Sequence, residues 1–469
     1  MIRLEIKSGR QILRQVFEAG QGFGAEVYAV GGFVRDLYLG KEGTDIDFVV
    51  LGDAVGFARF FRKQFRSGKV VTYDRFGTAM VAYRDWKLEF VTARAEHYRE
   101  DSRKPEVRQA DLRSDLSRRD FTINCLAMRL DPPRLGEVID IFDGVGDIER
   151  KIIRTPLDPA ITFSDDPLRI LRAIRFAAVL QFSIEEKTFR AIFETRERLK
   201  IISQERITEE FRKMMLADKP STGLRLLKQT GVAEIIFPEL AELAGVEQRQ
   251  DYHHKDVFDH TLQVVDNISE KTDRFELRLV ALLHDIAKPQ TKRFVEGSGW
   301  TFHGHEELGA HMVERIGRRM RLPLHTIKYL KKLVRLHMRP TQLVDEEVTD
   351  SAIRRMMVEA GEDIEDLMLM CRADITSKNP RKVQEFLGNF DRVETRIREV
   401  EEKDNLRRFK PAFSGDDIMK LLNIPPGPRV GEIKQAIVDA ILDGKIPNDY
   451  QACYDYFLKI KDTFIEEKE

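Results

Sequence analysis

Two carboxylates lie two residues apart in the run Thr44-Asp45-Ile46-Asp47-Phe48. Positions i and i+2 of an extended strand point to the same face, so Asp45 and Asp47 present two negative groups side by side. Carboxylates that close repel unless a cation sits between them, and magnesium, which prefers carboxylate and phosphate oxygens, is the natural occupant. Glu89, in KLEFVTAR, adds a third acid on what reads as a neighbouring strand. Three acids so placed can hold two metal ions, which activate a hydroxyl nucleophile and stabilise the charge on a leaving pyrophosphate. Gly31 and Gly32 follow the short strand VYAV and open a helix, an arrangement that lets backbone N–H groups approach phosphate oxygens.

Further along, Arg118 and Arg119 offer two guanidinium groups that meet triphosphate oxygens bidentately, while Asp120 and Asn124 can bind ribose hydroxyls. In DDPLR, Asp166 and Arg169 are three apart and are expected on one helix face. A carboxylate beside a guanidinium offers an acceptor next to a donor. That pattern matches cytosine and adenine, which present an amino donor beside a ring-nitrogen acceptor, and rejects guanine and uracil.

A second cluster is built differently. His284 and Asp285 end the apolar segment ELRLVALL just before Lys288 and Pro289 stop it. Adjacent residues on a helix diverge by about 100°, so one metal needs further ligands from other helices, which His260 and Asp374 can provide. His305 and His337 can hold a second ion. Nine of the ten histidines fall between His253 and His337, which marks this region as a unit with its own chemistry.

The elements that must position these groups are of two kinds. From Val27 to about Ile141, short β-branched and aromatic runs (VYAVGG, IDFVVLG, KVVTYD, AMVAYRD, KLEFVTA, EVIDIFDG) alternate with helical stretches and predict an α/β domain. After Pro167 apolar residues recur at helical spacing, so the remainder is predicted to be predominantly helical. The polar connection between Arg94 and Asp115 is too long for a simple turn and reads as a functional loop.

Composition bounds the rest. The 469 residues exceed one compact core, and 42% hydrophobic with 33% charged residues describes an ordinary globular chain. A net charge of −1 and a pI near 6.8 do not advertise nucleic-acid binding, although one basic face suffices for phosphate contacts, and Arg103 to Arg119 and Arg169 to Arg212 are rich in basic residues. No run approaches the roughly 20 apolar residues of a membrane span, so a cytoplasmic protein with no membrane partner is expected. Cys125, Cys371 and Cys453 form no CxxC pair and read as reduced, buried thiols.

GGFVRDLYLG with DID, then RRDFTIN, then DDPLRILRAIRFAA, then QERITEEF resemble, in that order, the motifs of the bacterial-type (class II) tRNA nucleotidyltransferase and poly(A) polymerase family of the polymerase-beta superfamily. The resemblance covers roughly residues 28 to 215, with a weaker echo at FSGDDIMKLLNIPPGPRVGEI. The order His260, His284-Asp285, Asp374 is similarly that of an HD phosphohydrolase site. The resemblance implies an α+β chain: a nucleotidyltransferase head over 1–160, a helical neck over 161–245, an HD domain over 246–376 and a helical, tRNA-binding tail over 377–469. It implies catalysis by Asp45, Asp47 and Glu89 with Mg2+. Nucleotide binding would fall to Gly31, Gly32, Arg35, Arg118, Arg119, Asp120, Asn124, Asp166, Arg169 and Arg172. Where the family has Glu-Asp, this chain has Asp165-Asp166, which leaves the base-reading pair intact.

The activity so implied is addition of C, C and A to tRNA from CTP and ATP without a template, with no obligate protein partner. The long connection after Arg94 would help switch from C to A, and Gln204 to Glu210 would brace the neck. The HD site would hold a divalent transition metal such as Ni2+, Mn2+ or Co2+ and hydrolyse phosphomonoesters or cyclic phosphates. Poly(A) polymerase and CC-only or A-only enzymes share the motifs. Family poly(A) polymerases tend to be strongly basic, unlike this chain. A different class, an HD phosphohydrolase with a head that only binds RNA, has no use for the acid triad.

Overall fold

The computed structural model describes residues 2–66, 68–97, 106–250, 253–296, 299–344, 349–377, 379–404 and 409–464. The chain folds as two compact units, Met1–Ala241 and Glu242–Glu469.

The first unit is built on a mixed seven-stranded sheet. Its strands are β1 (Glu26–Val30), β2 (Asp45–Leu51), β3 (Val70–Tyr73), β4 (Thr78–Tyr83), β5 (Trp86–Thr92), β8 (Leu126–Met128) and β9 (Val138–Asp140), in the order β3-β4-β5-β2-β1-β8-β9. Between β5 and β8 a separate antiparallel ribbon pairs β6 (Arg94–His97) with β7 (Glu106–Gln109). The expected long loop thus begins in β6, passes through β7 and ends in the helix Leu112–Ser117; residues 98–105 lie outside those described. Only β2 and β5 run parallel within the large sheet, with Asp47 beside Glu89 and Asp45 beside Lys87.

Strand alternation sends Phe48 and Phe90 to the face opposite the acids. There Phe48 stacks on Phe90 at 5.1 Å, and Phe57 of α3 (Ala54–Phe65) meets Phe90 edge-on at 5.0 Å. Helix α1 (Arg10–Phe23) packs on α3, where Phe23 meets Phe57 edge-on at 5.8 Å and Phe60 at 5.6 Å. With one face closed by aromatic packing, the acids are left on the other.

Helix α2 (Gly32–Tyr38) follows β1, α4 (Leu112–Ser117) precedes the RRD segment, and α5 (Gly144–Arg150) follows β9. Then come α6 (Pro159–Asp165), α7 (Leu168–Leu180), α8 (Glu186–Thr195), α9 (Gln204–Met215), α10 (Pro220–Gln229), α11 (Ala233–Ile236) and α12 (Pro238–Ala241). A two-residue parallel pair, β10 (Ile152–Ile153) with β11 (Ser183–Ile184), lies among these helices, an exception to the expected loss of strands.

The second unit is mostly helical: α13 (Val257–Ser269), α14 (Phe275–Leu283), α15 (Lys288–Thr291), α16 (His305–Arg319), α17 (Leu324–Leu336), α18 (Arg339–Gln342), α19 (Asp350–Ala360), α20 (Ile364–Ala373), α21 (Pro380–Asp404), α22 (Gly415–Leu422), α23 (Pro428–Leu442) and α24 (Tyr450–Ile460). Two hairpins interrupt it, β12 (Glu247–Gln250) with β13 (His253–Asp256) and β14 (Arg293–Val295) with β15 (Gly299–Thr301). Buried Arg278 ends α13 by donating to the carbonyls of Ser269 and Thr272 at 3.2 and 2.8 Å. Phe413, Ile433, Ile437 and Phe457 form a separate apolar cluster among α22 to α24. No described helix is long and apolar enough to cross a membrane.

One buried carboxylate ties the segment after α4 to α5. Asp147 accepts from the Thr122 hydroxyl at 2.6 Å, Arg150 at 2.8 Å and Arg154 Nε at 2.9 Å. Both arginines are substantially exposed, so the burial of Asp147 and Thr122 carries most of the cost of breaking the cluster. Asp147→Ala is expected to destabilise the first unit by about 2–3 kcal/mol in urea denaturation. A loss below about 0.5 kcal/mol, the level of an ordinary surface change, would rule out this anchoring role.

Candidate active site and metal centre

Asp47 stands between two neighbours in the sheet, Glu89 on β5 and Val30 on β1, and Gly31 follows Val30 at once. The glycine turn therefore emerges beside the acids. Partial burial, reinforced by the Asp45 carboxylate, pushes Asp47 above its ordinary range, while Arg119 and Lys87 pull the other way. Burial and the Asp47 charge push Glu89 up as well. Oxygen donors whose mutual repulsion is incompletely relieved by nearby cations fit a hard divalent ion. Asp45 also has a cation beside it, Lys87 Nζ at 3.6 Å.

Gly31 has φ 74° and ψ −136°, and a Cβ there would lie 2.9 Å from Nη1 of Arg119. The absence of a side chain at Gly31 leaves room for the Arg119 guanidinium, whose charge acts on Asp47. Arg118 and Arg119 are aimed by one residue that sequence reasoning missed. Asp115, fully buried, accepts from Arg118 Nε and Nη2 at 3.1 and 2.6 Å through Oδ1, and from Arg119 Nε and Nη2 at 3.3 and 3.2 Å through Oδ2. The signal was available: a carboxylate three and four residues before two arginines at a helix end.

Asp120 and Asn124 come together but are buried. Asp120 Oδ1 accepts from the Phe121 amide at 2.9 Å and Asn124 Nδ2 at 3.0 Å, and its Oδ2 accepts from Arg172 Nε at 2.8 Å. Burial alone would raise its pKa; Arg172 and Asn124 hold it below the usual range. Arg35, 8% exposed, donates to Asn124 Oδ1 at 2.7 Å and to Asp36. Arg35, Arg172 and Arg175 all approach the Phe176 ring, Arg175 at 4.0 Å from its centroid. Glu210 on α9 completes the group, accepting from Arg175 Nε at 2.6 Å.

Asp166 does not share a helix face with Arg169. Its φ of −138° and ψ of 99° are extended, because Pro167 disfavours helical geometry in the residue before it; α7 begins only at Leu168. The Asp166 carboxylate accepts from the Leu168 amide at 3.2 Å and from Arg206 at 3.2 Å. Arg169 donates to the carbonyls of Arg118 at 2.7 Å and Thr162 at 3.3 Å.

In the second unit, the six expected ligands converge from five helices. Most lie at helix ends: His284 after α14, His305 opening α16, His337 after α17 and Asp374 after α20, with His260 within α13. Nδ1 of His284 and of His337 meets the carbonyl three residues earlier, Ala281 at 2.8 Å and Val334 at 2.6 Å, and His305 Nδ1 meets the Phe302 carbonyl at 2.8 Å. A carbonyl only accepts, so each Nδ1 carries a proton and each Nε2 is the ring atom turned inward, the one that a metal would take. His260 Nδ1 rests against the Thr376 hydroxyl at 3.0 Å.

The inward atoms form two overlapping sets, His260 with His284 and Asp285, and Asp285 with His305 and His337, each with ligand atoms within 4.8 Å. Asp374 Oδ1 lies 2.9 Å from His260 Nε2 and 3.5 Å from His284 Nε2. Buried His284 Nε2, Asp285 Oδ2 and Asp374 Oδ1 face one another and His260 at ion-pair distance without well-formed hydrogen bonds among themselves, and polar atoms crowded toward one point fit a metal. Burial opposes charge throughout, yet Asp285 and Asp374 drive His284 up to about 10 and are themselves held well below the carboxylate range. Burial, with the nearby His284, takes His337 down to about 4. Lys288 Nζ, 2.7 Å from Asp285 Oδ2, is a further charged neighbour that the sequence reading passed over.

Comparisons with known proteins agree with this arrangement. The chain matches the poly A polymerase head domain over residues 27–154, the "Probable RNA and SrmB- binding site of polymerase A" over 181–243 and the HD domain over 257–379. It is 31% identical to the A-adding tRNA nucleotidyltransferase of Deinococcus radiodurans, across 90% of this chain and 93% of that protein. It is 29% identical to the CC-adding tRNA nucleotidyltransferase of Thermus thermophilus, across 91% and 92%. Among solved structures, a CCA-adding enzyme in an apo form aligns with a TM-score of 0.63 at 25% identity, covering 97% of this chain and 96% of that one. With the acid ladder, the arginine pair and the histidine cluster all in place, this chain belongs to the tRNA nucleotidyltransferase family.

Proposed function

We propose that the chain completes tRNA 3′ ends by adding C, C and A from CTP and ATP without a template. The observation that carries this reading is the pairing of Asp47 with Glu89 in parallel register, with the Arg119 guanidinium against Gly31 and its charge acting on Asp47. Magnesium held by Asp45, Asp47 and Glu89 would lower the barrier by activating the primer hydroxyl and neutralising charge on the departing pyrophosphate. Arg118 and Arg119, locked by Asp115, meet the triphosphate as a rigid pair of forks and need little reordering when it binds. Asp166 and Arg169 read the base edge. The anchoring of Arg169 on the Arg118 carbonyl supports a single unit in which base and phosphate are sensed together.

The helical segments then hold the tRNA by its shape and phosphates. Such work belongs to the cytoplasm, and three buried free thiols fit that reducing compartment. The known relatives include CC-adding, A-adding and CCA-adding proteins, so product length is the test that separates these outcomes.

For the second unit we propose a phosphohydrolase acting on phosphomonoesters or cyclic phosphates. His260, His284, Asp285 and Asp374 would hold one divalent transition metal and Asp285, His305 and His337 a second; imidazole-rich sites suit Ni2+, Mn2+ or Co2+. The metal would supply Lewis-acid polarisation of the phosphate.

Purified protein, magnesium and single labelled nucleotides are to be incubated with tRNA ending at the discriminator base, at C and at CC. Two C and then one A, with no further growth, is the expected product; a lengthening A ladder means poly(A) synthesis, and arrest after CC means a partial enzyme. Asp47→Ala should lower addition by about 1,000-fold or more, equal to about 4 kcal/mol of transition-state stabilisation. Retained addition would remove Asp47 from the mechanism. His284→Ala should lose the transition metal, measured by elemental analysis after metal loading, and the metal-dependent rise in melting temperature, while nucleotide addition is unchanged. Undiminished metal content in this variant would overturn the ligand assignment.

A further inference from the structure

Helix α9 carries two opposite charges one turn apart, Arg206 and Glu210. Glu210, 5% exposed, is fixed by Arg175 at 2.6 Å and lies 4.0 Å from Arg172, so α9 is keyed to α7 by a buried pairing. One turn earlier, Arg206 Nη2 donates to Asp166 Oδ2 at 3.2 Å, and the Leu168 amide holds Oδ1 at 3.2 Å. Both oxygens of Asp166 are therefore oriented, one by α7 and the other by α9. Arg169 is oriented independently, by the Arg118 and Thr162 carbonyls. The acceptor and the donor do not fix each other; each is held by a third group.

We propose that Arg206 is a specificity-determining positioning residue that sets the direction of the Asp166 carboxylate. This rests on reading Asp166 and Arg169 as the base-recognising pair. A carboxylate has about four acceptor sites, so the bonds from Leu168 and Arg206 leave lone pairs for the amino group of cytosine or adenine. Rejection of uracil and guanine depends on the same carboxylate being unable to turn away, because a carbonyl oxygen set against a fixed carboxylate leaves both acceptors unpaired. Without Arg206, Asp166 has an extended backbone and a partly open side chain and can swing toward solvent. The penalty against the wrong base then falls while the site still binds the right one. The pair is half exposed, so it contributes little to folding stability and its effect is on selection.

The test uses the full-length protein carrying Arg206→Ala, Arg206→Lys or Asp166→Asn, with kcat/KM measured for each of the four nucleotides on tRNA ending at the discriminator base and at CC. In R206A the preference for CTP over UTP, and for ATP over GTP, is expected to fall about tenfold or more, with melting temperature and KM for tRNA unchanged. R206K should restore part of the preference. A uniform loss of activity on all four nucleotides, or a preference within twofold of the parent, would overturn the role of Arg206. D166N separates the two levels of failure. If it keeps the parent's preference, the base-reading assignment is itself wrong. If it loses the preference while R206A keeps it, only the positioning role of Arg206 fails.

Discussion

A carboxylate removed from water must be given donors, and the way Asp120 meets that demand organises the whole first unit. Its donors come from its own segment through Phe121 and Asn124, and from α7 through Arg172. Asn124 passes the connection to Arg35 on α2, and Arg172 faces Glu210 on α9. Phe176 lies under three of these guanidinium groups, where its ring face favours cations. Helix α2, the arginine segment and the neck helices α7 and α9 are thus held in one network, in which removing either Asp120 or Arg172 leaves a buried charge behind. Arg118 and Arg119 are aimed separately, by Asp115, and Arg169 by the Arg118 and Thr162 carbonyls.

The second unit solves a related problem in the opposite way. Its buried polar atoms are crowded toward one point, and the geometry that aims the imidazoles there is local. The last carbonyls of a helix have no partner in the helix itself, and placing His284 and His337 at helix C-termini gives their Nδ1 protons to those carbonyls. Each free helix end is satisfied, and each imidazole is fixed in one tautomer. His260 is held instead through a side chain, the Thr376 hydroxyl.

What the sequence disclosed followed from periodicity and spacing. The i, i+2 acids, the glycine pair and the ordered histidines all describe short-range geometry, and the structure sets the acids on a strand, the glycines at a helix start and the histidines on helices or at their ends. Asp166 shows the limit of such rules. Three-residue spacing implied a shared helix face, but Pro167 keeps Asp166 extended and outside the helix. Asp115 was legible in principle from its offset to Arg118 and Arg119, but helical spacing reports only that charges can meet, not that the carboxylate is buried and both arginines depend on it. Arg206 was not legible, since its partner lies 40 residues away and the two meet only through packing of α7 against α9. The ribbon at the ends of the segment after Arg94 escaped because its polar composition masks strand pairing.

The parallel pairing of β2 with β5 bears on how the protein comes into being. Parallel neighbours cannot be joined by a tight turn, and here α3, β3 and β4 intervene before Glu89 reaches Asp47. Their encounter requires closing a long loop, an entropic cost met only late in sheet assembly. On the ribosome, β1 and β2 emerge first and can pair, but the acid ladder stays incomplete until β5 has been synthesised and inserted. Arg119 and the α7 network come later still. A nascent chain therefore holds no competent phosphate-handling site until its first unit is nearly whole, so fragments released early cannot act on the cell's nucleotides.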